Sequence, residues 1–197
     1  MNKPIINIKN LNVDYITDKN PINAVRDVTF EIFSGEIFGL VGESGSGKST
    51  VVQAMMRILP PPAIISKGEV IINNEDILAS SSLDVIGMRW KKISIVMQSA
   101  LNALNPVLSI REQIHDVLKT HKNLIGLDAD ERAKELLSLV EIDHDRLDSF
   151  PHQLSGGMKQ RIVIAIALAI MPPIIIMDEP TTAPVSYTHL TLPTTSS

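Results

Sequence analysis

The segment from Gly42 to Thr50 constrains this chain more than any other. It reads Gly-Glu-Ser-Gly-Ser-Gly-Lys-Ser-Thr and satisfies the pattern G-x-x-x-x-G-K-[ST]. Glycines allow backbone N–H groups to turn inward around phosphate oxygens, and the start of a helix adds partial positive charge. An apolar run, Ile37 to Val41, precedes the segment. The sequence therefore predicts a phosphate-binding loop between a strand buried on both faces at 37–41 and a helix over 49–58.

The polar residues of this loop have separate predicted roles. Lys48 is expected to neutralise the β- and γ-phosphates of ATP as part of the catalytic machinery, and the Ser49 hydroxyl is an expected Mg²⁺ ligand. ATP and Mg²⁺ are therefore the expected cofactors. A Gly/Ser-rich turn with an incidental lysine is the alternative. The predicted nucleotide contacts in the loop are Gly42, Ser44, Gly45, Gly47, Lys48, Ser49 and Thr50.

Two adjacent carboxylates form a second candidate feature. The apolar run Ile174 to Met177 predicts a buried strand, and it ends in Asp178 and Glu179. In a chain with a phosphate loop, Asp178 can orient Mg²⁺ through its water shell, and Glu179 can polarise the attacking water as a general base. The alternative is a solvated acidic turn before Pro180.

Composition limits the other classes of function. The 197 residues are 44% apolar and 20% charged, which fits one sizeable globular domain or one domain with a small subdomain. The net charge of −4 gives no global basic field for nucleic acid, and the absence of cysteine excludes disulfides and thiolate metal sites.

The most membrane-like stretch, Ile162 to Met177, is shorter than the ~20 residues of a spanning helix, and Pro172-Pro173 interrupts it. We expect a buried helix and a buried strand there, with any link to a membrane made through partners.

Hydrophobic periodicity separates a β-rich start from a helical middle. Alternating apolar residues in the first forty positions predict strands, with Val28 to Phe33 following a turn at 18–23. Further strands are predicted at 68–72 and 93–97. From about residue 99 the period is helical: Ser109-Ile-Arg-Glu112 is a capping box, Asp128 to Glu131 is a similar helix start, and Ser155 to Ile170 predicts a third helix.

The segment Leu154-Ser-Gly-Gly-Met-Lys-Gln-Arg161 is a Ser-Gly-Gly helix start, whose N–H groups and hydroxyl suit a phosphate. Alone, it is equally an ordinary N-cap. Between a phosphate loop and an acidic strand end, it resembles the signature motif of ABC ATPases. The resemblance implies that Ser155 and Gly157 contact the γ-phosphate held by the opposite subunit of a head-to-tail dimer. It also implies that Gln98 is a catalytic ligand of Mg²⁺ and water that senses membrane subunits, and that Tyr15 stacks on adenine.

Three further segments indicate which branch of the ABC ATPase family the chain resembles. Residues 59–63, 99–107 and 150–161 are similar to the dipeptide, oligopeptide and nickel import branch of the family. This likeness implies an ATPase at the cytoplasmic face of the membrane that energises uptake of di- or oligopeptides. It implies a second ATPase subunit, two transmembrane permease subunits and, indirectly, a solute-binding protein, with no nucleic acid.

Three other classes of protein were compared with this pattern. DNA-associated ABC ATPases carry a coiled coil or a cysteine module, and this chain has neither heptads nor cysteine. The signature segment argues against an unrelated phosphate-loop kinase or GTPase. A catalytically incompetent fragment of such an ATPase stays open.

The resemblance implies an α/β fold with a P-loop NTPase core of ABC ATPase type, an N-terminal antiparallel β part and an inserted helical subdomain. It covers residues 1–183, which we expect to form an ATP-binding domain incomplete at its C-terminus, with the helical subdomain at about 99–155. After Ala183 the family continues with Leu-Asp and later a switch histidine, whereas this chain continues with Pro184. His189 comes too early to replace that histidine. Residues 185–194 resemble a translated sequencing-library adapter, so 184–197 are expected to be a non-native or disordered tail.

Overall fold

A computed structural model describes residues 3–97 and 103–178 of the chain. The chain divides into two compact units, Met1–Lys92 and Ile93–Ser197. The predicted site residues Gln98 and Glu179, together with His189 and the predicted tail, lie outside the described residues.

The first unit contains a four-stranded antiparallel sheet with strand order β2-β1-β3-β4. Its strands are β1 (Ile6–Tyr15), β2 (Ile22–Ile32), β3 (Ala63–Ile72) and β4 (Glu75–Asp76). Side chains alternate between the faces of a strand, and the irregularity at Asn10, whose φ is 47°, shifts this alternation between Ile8 and Leu11, so the apolar positions before and after it are both buried. All four are buried: Ile6, Ile8, Leu11 and Val13. The β-rich start is thus confirmed, although β2 begins earlier and β3 is longer than predicted.

Two helices complete the first unit. Helix α1 (Lys48–Met55) follows the predicted phosphate loop and packs against β1 and β2. It ends earlier than predicted because Arg57 adopts a left-handed conformation with φ of 48° and donates to the carbonyl oxygens of Ile77 and Ser80. Helix α2 (Ser82–Met88), which the periodicity did not reveal, is capped by the Ser81 hydroxyl.

The prediction of a buried strand at 37–41 is wrong. These residues form no regular strand, and the side chains of Ile37 and Val41 are 100% and 92% exposed. A strand buried on both faces needs neighbours that satisfy its N–H and C=O groups. Within 3–97 and 103–178, no strand pairs with this segment. Its one ring contact in that part of the chain stacks Phe38 on Phe30 of β2, with centroids 5.0 Å apart.

The second unit combines a parallel strand pair with helices. Strand β5 (Ile93–Val96) pairs with β6 (Ile174–Met177), and the helices are α3 (Ile110–Lys122), α4 (Gly126–Leu139) and α5 (Gly156–Ala167). Short 3-10 turns at His144–Asp148 and Pro151–Gln153 connect α4 to α5. The apolar faces of the three helices form its core, which contains Ile114, Leu118, Leu136, Leu137 and Ile162. None of the helices in the described part of the chain has the length and apolar character needed to span a bilayer.

The helix starts of this unit follow the local sequence signals closely. The capping box is confirmed: the Glu112 N–H donates to the Ser109 hydroxyl at 3.2 Å, and the Ser109 N–H donates to the Glu112 carboxylate at 2.7 Å. Helix α4 starts two residues before the predicted Asp128, which lies instead in its first turn. A carboxylate there faces the positive end of the helix dipole, so the acidic residue stabilises the start without being the cap.

Candidate nucleotide site

The loop before α1 has the backbone shape that its glycines predict. Gly45 and Gly47 adopt φ angles of +79° and +92°, a left-handed region that L side chains rarely enter. Gly47 is the N-cap of α1 and has no side chain to close the helix start. The first turn of α1 carries no acidic residue. The N-terminal end of the helix dipole therefore faces the loop without a competing negative charge.

Lys48 reaches back across the loop. Its Nζ donates to the carbonyl oxygen of Gly42 at 2.8 Å and to that of Glu43 at 2.7 Å. The ammonium is thus held at the start of the loop, although the residue itself begins α1. This arrangement places a full positive charge beside the backbone of residues 42–47. Ser49 and Thr50 follow in the first turn of α1 and are half-buried, whereas Ser44 is exposed.

Gly47 also lies against the sheet. A Cβ built on Gly47 would come within 2.7 Å of the carbonyl oxygen of Ala24 and 3.5 Å of a Val25 methyl group, both in β2. Such a separation from a backbone atom is too short for a real Cβ. A glycine is therefore required at 47 for close packing as well as for φ. Sequence reasoning missed Ala24, because no local pattern marks a backbone carbonyl as a contact.

Tyr15 lies in the same unit as the loop. It is the last residue of β1 and is half-buried, and it faces Ile22 in β2 and Ala63 in β3. Since Ile22 is two residues from Ala24, strand β2 contacts both Tyr15 and Gly47. The structure therefore brings the predicted adenine contact and the predicted phosphate loop to one strand.

Asp178 lies at the carboxyl end of the parallel pair in the second unit. It follows β6 directly, and its N–H donates to the Val96 carbonyl oxygen at 2.9 Å. Met97 continues from β5 at the same edge of the sheet. The side-chain positions of Gln98 and Glu179, which follow Met97 and Asp178 in sequence, stay predictions. Within 3–97 and 103–178, no cluster of three His, Cys, Asp or Glu side chains could hold a metal.

Ser155 is the N-cap of α5, also in the second unit. Its hydroxyl accepts a hydrogen bond from the Met158 N–H at 3.3 Å, so its own proton stays available for donation. Gly156 and Gly157 are exposed, and a Cβ built on either would meet no atom within 4 Å. The Ser-Gly-Gly turn is therefore an open surface on which N–H groups and a hydroxyl can face a ligand.

Arg161 has a role in this unit that the sequence did not reveal. Its Nη1 donates to the carbonyl oxygens of Val140 at 3.2 Å and Glu141 at 2.9 Å. These carbonyls end α4, and a cation at the C-terminus of a helix is favourable. Arg161 therefore fixes the first half of α5 to the end of α4. The only available signal was the position of a basic residue in the second turn of a helix.

Comparison with known proteins gives three consistent likenesses. The profile of a family described as ABC transporter matches residues 25–182. The Bacillus subtilis (strain 168) protein named dipeptide transport ATP-binding protein DppD is 42% identical over 182 residues, which are 91% of this chain and 54% of that protein. Oligopeptide transport ATP-binding protein OppD of the same strain is 40% identical, over 91% of this chain and 51% of that protein. The chain spans about half the length of these curated relatives.

Two solved structures of the cassette MJ0796 resemble the fold. One, a dimeric bacterial ABC transporter cassette, has a TM-score of 0.80 and 34% identity, covering 89% of this chain and 74% of its own. The other, a dimer in a post-hydrolysis state bound to ADP and Pi, has a TM-score of 0.79 and 32% identity, covering 92% and 76%. These likenesses confirm the α/β fold with a phosphate-loop core that the sequence predicted.

Proposed function

Since this chain belongs to the ABC transporter family, we propose that it is an ATP-binding and ATP-hydrolysing subunit that energises peptide import. The observation that carries the proposal is the loop before α1, where Lys48 is held beside a glycine-rich backbone at an uncapped helix start. This arrangement suits a polyphosphate. The names of DppD and OppD favour di- or oligopeptides as the transported solute.

We infer that the loop residues 42–50 bind the phosphates and that Tyr15 stacks on adenine. Mg²⁺ fits the donor chemistry of Ser49, Gln98 and Asp178, because hydroxyl, amide and carboxylate oxygens are the ligands it prefers. When bound, it neutralises charge on the β- and γ-phosphates. In the proposed reaction Glu179 accepts a proton from water, the water oxygen bonds to the γ-phosphorus, and the bond to the β,γ-bridging oxygen breaks to leave ADP.

Ser155 and Gly157 are proposed to act on the nucleotide of a second subunit. The open Ser-Gly-Gly turn at the start of α5 supports this role, because its N–H groups and hydroxyl can donate to a γ-phosphate. The proposal includes a partner ATPase subunit, two transmembrane permease subunits and, indirectly, a solute-binding protein. It places the chain peripherally at the cytoplasmic face of the membrane.

We also propose the domain division drawn from the sequence: an ATP-binding domain over 1–183, a helical subdomain at about 99–155 and a non-native tail over 184–197. The family match to residue 182 supports the boundary. Long-read resequencing of the source locus tests the tail. Finding residues 184–197 encoded there, followed by a genuine stop codon, would contradict its non-native origin.

A second candidate is a catalytically incompetent fragment of such an ATPase, which hydrolyses ATP negligibly. The exposure of Ile37 and Val41, directly before the phosphate loop, favours it. Within 3–97 and 103–178 no strand pairs with residues 37–41, and a segment with few packing contacts holds the following loop less firmly. The two candidates differ in phosphate release.

A mixing experiment tests the hydrolytic function. Chains with Ser155→Arg and chains with Glu179→Gln are each assayed alone and then mixed, and released phosphate is measured at protein concentrations that support dimers. In the mixture, one composite site has a native Glu179 and a native Ser155. We expect each variant alone to be inactive and the mixture to recover part of the wild-type rate. An inactive mixture beside an active wild type would contradict the shared site. A wild type that binds ATP but releases no phosphate would support the second candidate.

A further inference from the structure

One β-bulge lies where β2 passes the phosphate loop. Along the β1–β2 ladder, Val13 faces Val25, but the next residue of β1, Asp14, faces Asn23. Ala24 is therefore an extra residue with no partner in β1. A bulge of this kind bends its strand and turns backbone groups out of the regular ladder, and bulges occur often next to functional sites.

A second bulge lies on the other side of β1. Along the β1–β3 ladder, Asn12 faces Lys67 and the next residue, Val13, faces Ile65. Ser66 is therefore the extra residue in β3. The two bulges lie within two residues of each other along the central strand, and both come just before its last residue.

The bulge in β2 contacts the loop. The Ala24 carbonyl oxygen is the atom that a Cβ on Gly47 would approach to 2.7 Å, so this carbonyl packs directly against the N-cap of α1. The bulge is followed in the ladder by the pair Asp14 and Asn23 and then by the pair Tyr15 and Ile22. The conformation of β2 at Ala24 therefore sets how far the loop lies from Tyr15.

The Asp14 carboxylate is hydrogen-bonded to the residue beside the bulge in β2. It accepts a hydrogen bond from the Asn23 Nδ2 at 2.7 Å. The side chains of Ser66 and Asn23, together with the charge of Arg26, stabilise the charged carboxylate and lower the pKa of Asp14. Arg26 Nε also donates to the Asn23 Oδ1 at 3.3 Å, which orients the amide so that its NH₂ faces Asp14. The carboxylate thus links β1 to the bulged segment of β2.

We propose that Asp14 is a positioning residue for nucleotide binding, because its hydrogen bond with Asn23 fixes the bulge at Ala24 and so sets the distance between Tyr15 and the phosphate loop. Adjacent side chains of a strand point to opposite faces, so the Asp14 carboxylate lies on the side away from the Tyr15 ring. Asp14 therefore acts through the backbone of β2. The inference rests on the proposed function, since it requires a nucleotide that contacts both Tyr15 and the loop.

The test compares a ligand that needs both contacts with one that needs only the loop. Calorimetric titrations in Mg²⁺ measure the affinity of the full chain for ATP and for inorganic triphosphate. Asp14→Ala removes the hydrogen bond from Asn23, and Asp14→Asn keeps a carbonyl oxygen that can accept it. The matched control is Asn7→Ala, because Asn7 makes the same kind of cross-strand bond, to Glu31 at 3.0 Å, at the far end of β1.

We expect Asp14→Ala to weaken ATP binding about tenfold, because misplacing one of two linked contacts loses much of their joint affinity. Triphosphate binding should stay close to wild type, Asp14→Asn should recover part of the ATP affinity, and Asn7→Ala should change neither. If Asp14→Ala does not fold, Asn23→Ala removes the same hydrogen bond from its donor side and should weaken ATP binding in the same selective way.

Three results would overturn the inference. Wild-type ATP affinity in Asp14→Ala would remove the positioning role, and so would an equal loss of ATP and triphosphate binding, which indicates general destabilisation. Failure of the wild type to bind ATP would overturn the proposed function and the positioning role with it. The wild-type titration therefore separates the failure of the function from the failure of the inference.

Discussion

The Arg111 guanidinium donates two parallel hydrogen bonds to the Asp148 carboxylate, from Nε at 2.7 Å and from Nη2 at 3.1 Å. Its Nη1 also pairs with Asp130. The guanidinium of Arg111 in α3 therefore connects this helix to α4 and to the 3-10 turn that precedes Ser155 in the chain. Paired arginine and carboxylate groups of this geometry have stronger hydrogen bonds than neutral pairs. The ion pairs therefore hold α3, α4 and the 3-10 turn at His144–Asp148 together.

We predict that stability falls in acid and that Asp148 contributes to the fall. The hydrogen bond from Arg111 lowers the pKa of Asp148, and bonds from the Ser109 N–H and hydroxyl lower that of Glu112. A lowered folded-state pKa gives stability that is present above the unfolded value of about 4 and is lost as pH falls through the folded value. Urea unfolding of wild type and Asp148→Asn from pH 7 to pH 2.5 measures this. The variant should lose less stability in acid, and parallel curves would refute the assignment.

The capping box predicts a stability cost at Ser109. Ser109→Ala removes the acceptor of the Glu112 N–H and should lower the free energy of unfolding by about 1 kcal/mol. Ser109→Thr keeps a hydroxyl in the same place and serves as the matched control. Chemical denaturation of the three chains measures the difference. Equal stability of Ser109→Ala and wild type would mean that the cap is replaced by solvent at no cost.

The variants Gly47→Ala and Gly45→Ala distinguish the stability cost of backbone strain from the cost of a steric clash with β2. Both positions have a positive φ, which costs an L residue roughly 1–2 kcal/mol. Only Gly47 also has a backbone oxygen where its Cβ would lie, whereas Gly45 has open space. We therefore expect Gly47→Ala to reduce the melting temperature more than Gly45→Ala. Equal reductions would show that the contact with Ala24 does not constrain the loop.

Local signals in the sequence predicted most of the fold. The capping box at Ser109 and the N-cap at Ser155 involve residues three apart, and such pairs are visible in the chain itself. The strand at Ile174–Met177 follows from its continuous apolar run.

Long-range contacts could not be predicted in the same way. The apolar run 37–41 led to the wrong prediction of a buried strand, because burial depends on neighbouring strands that the run itself does not specify. The carbonyl of Ala24 against Gly47 joins residues 23 positions apart, and Arg111 with Asp148 joins residues 37 apart. The residue types at these positions do not indicate their partners. The bulges and the ion pairs of Arg111 therefore became visible only in the structure.

The most direct measurement of the central claim is a titration of the wild-type chain and of Lys48→Ala with a fluorescent ATP analogue in Mg²⁺. A charge-assisted contact is worth roughly 1.5–3 kcal/mol, so losing the Lys48 ammonium should weaken binding by about 10- to 100-fold. Lys9→Ala is the control, because Lys9 is an exposed lysine of β1 that pairs with Glu69 in β3. The account predicts wild-type affinity for Lys9→Ala and a large loss for Lys48→Ala. Equal affinities of Lys48→Ala and wild type would contradict it.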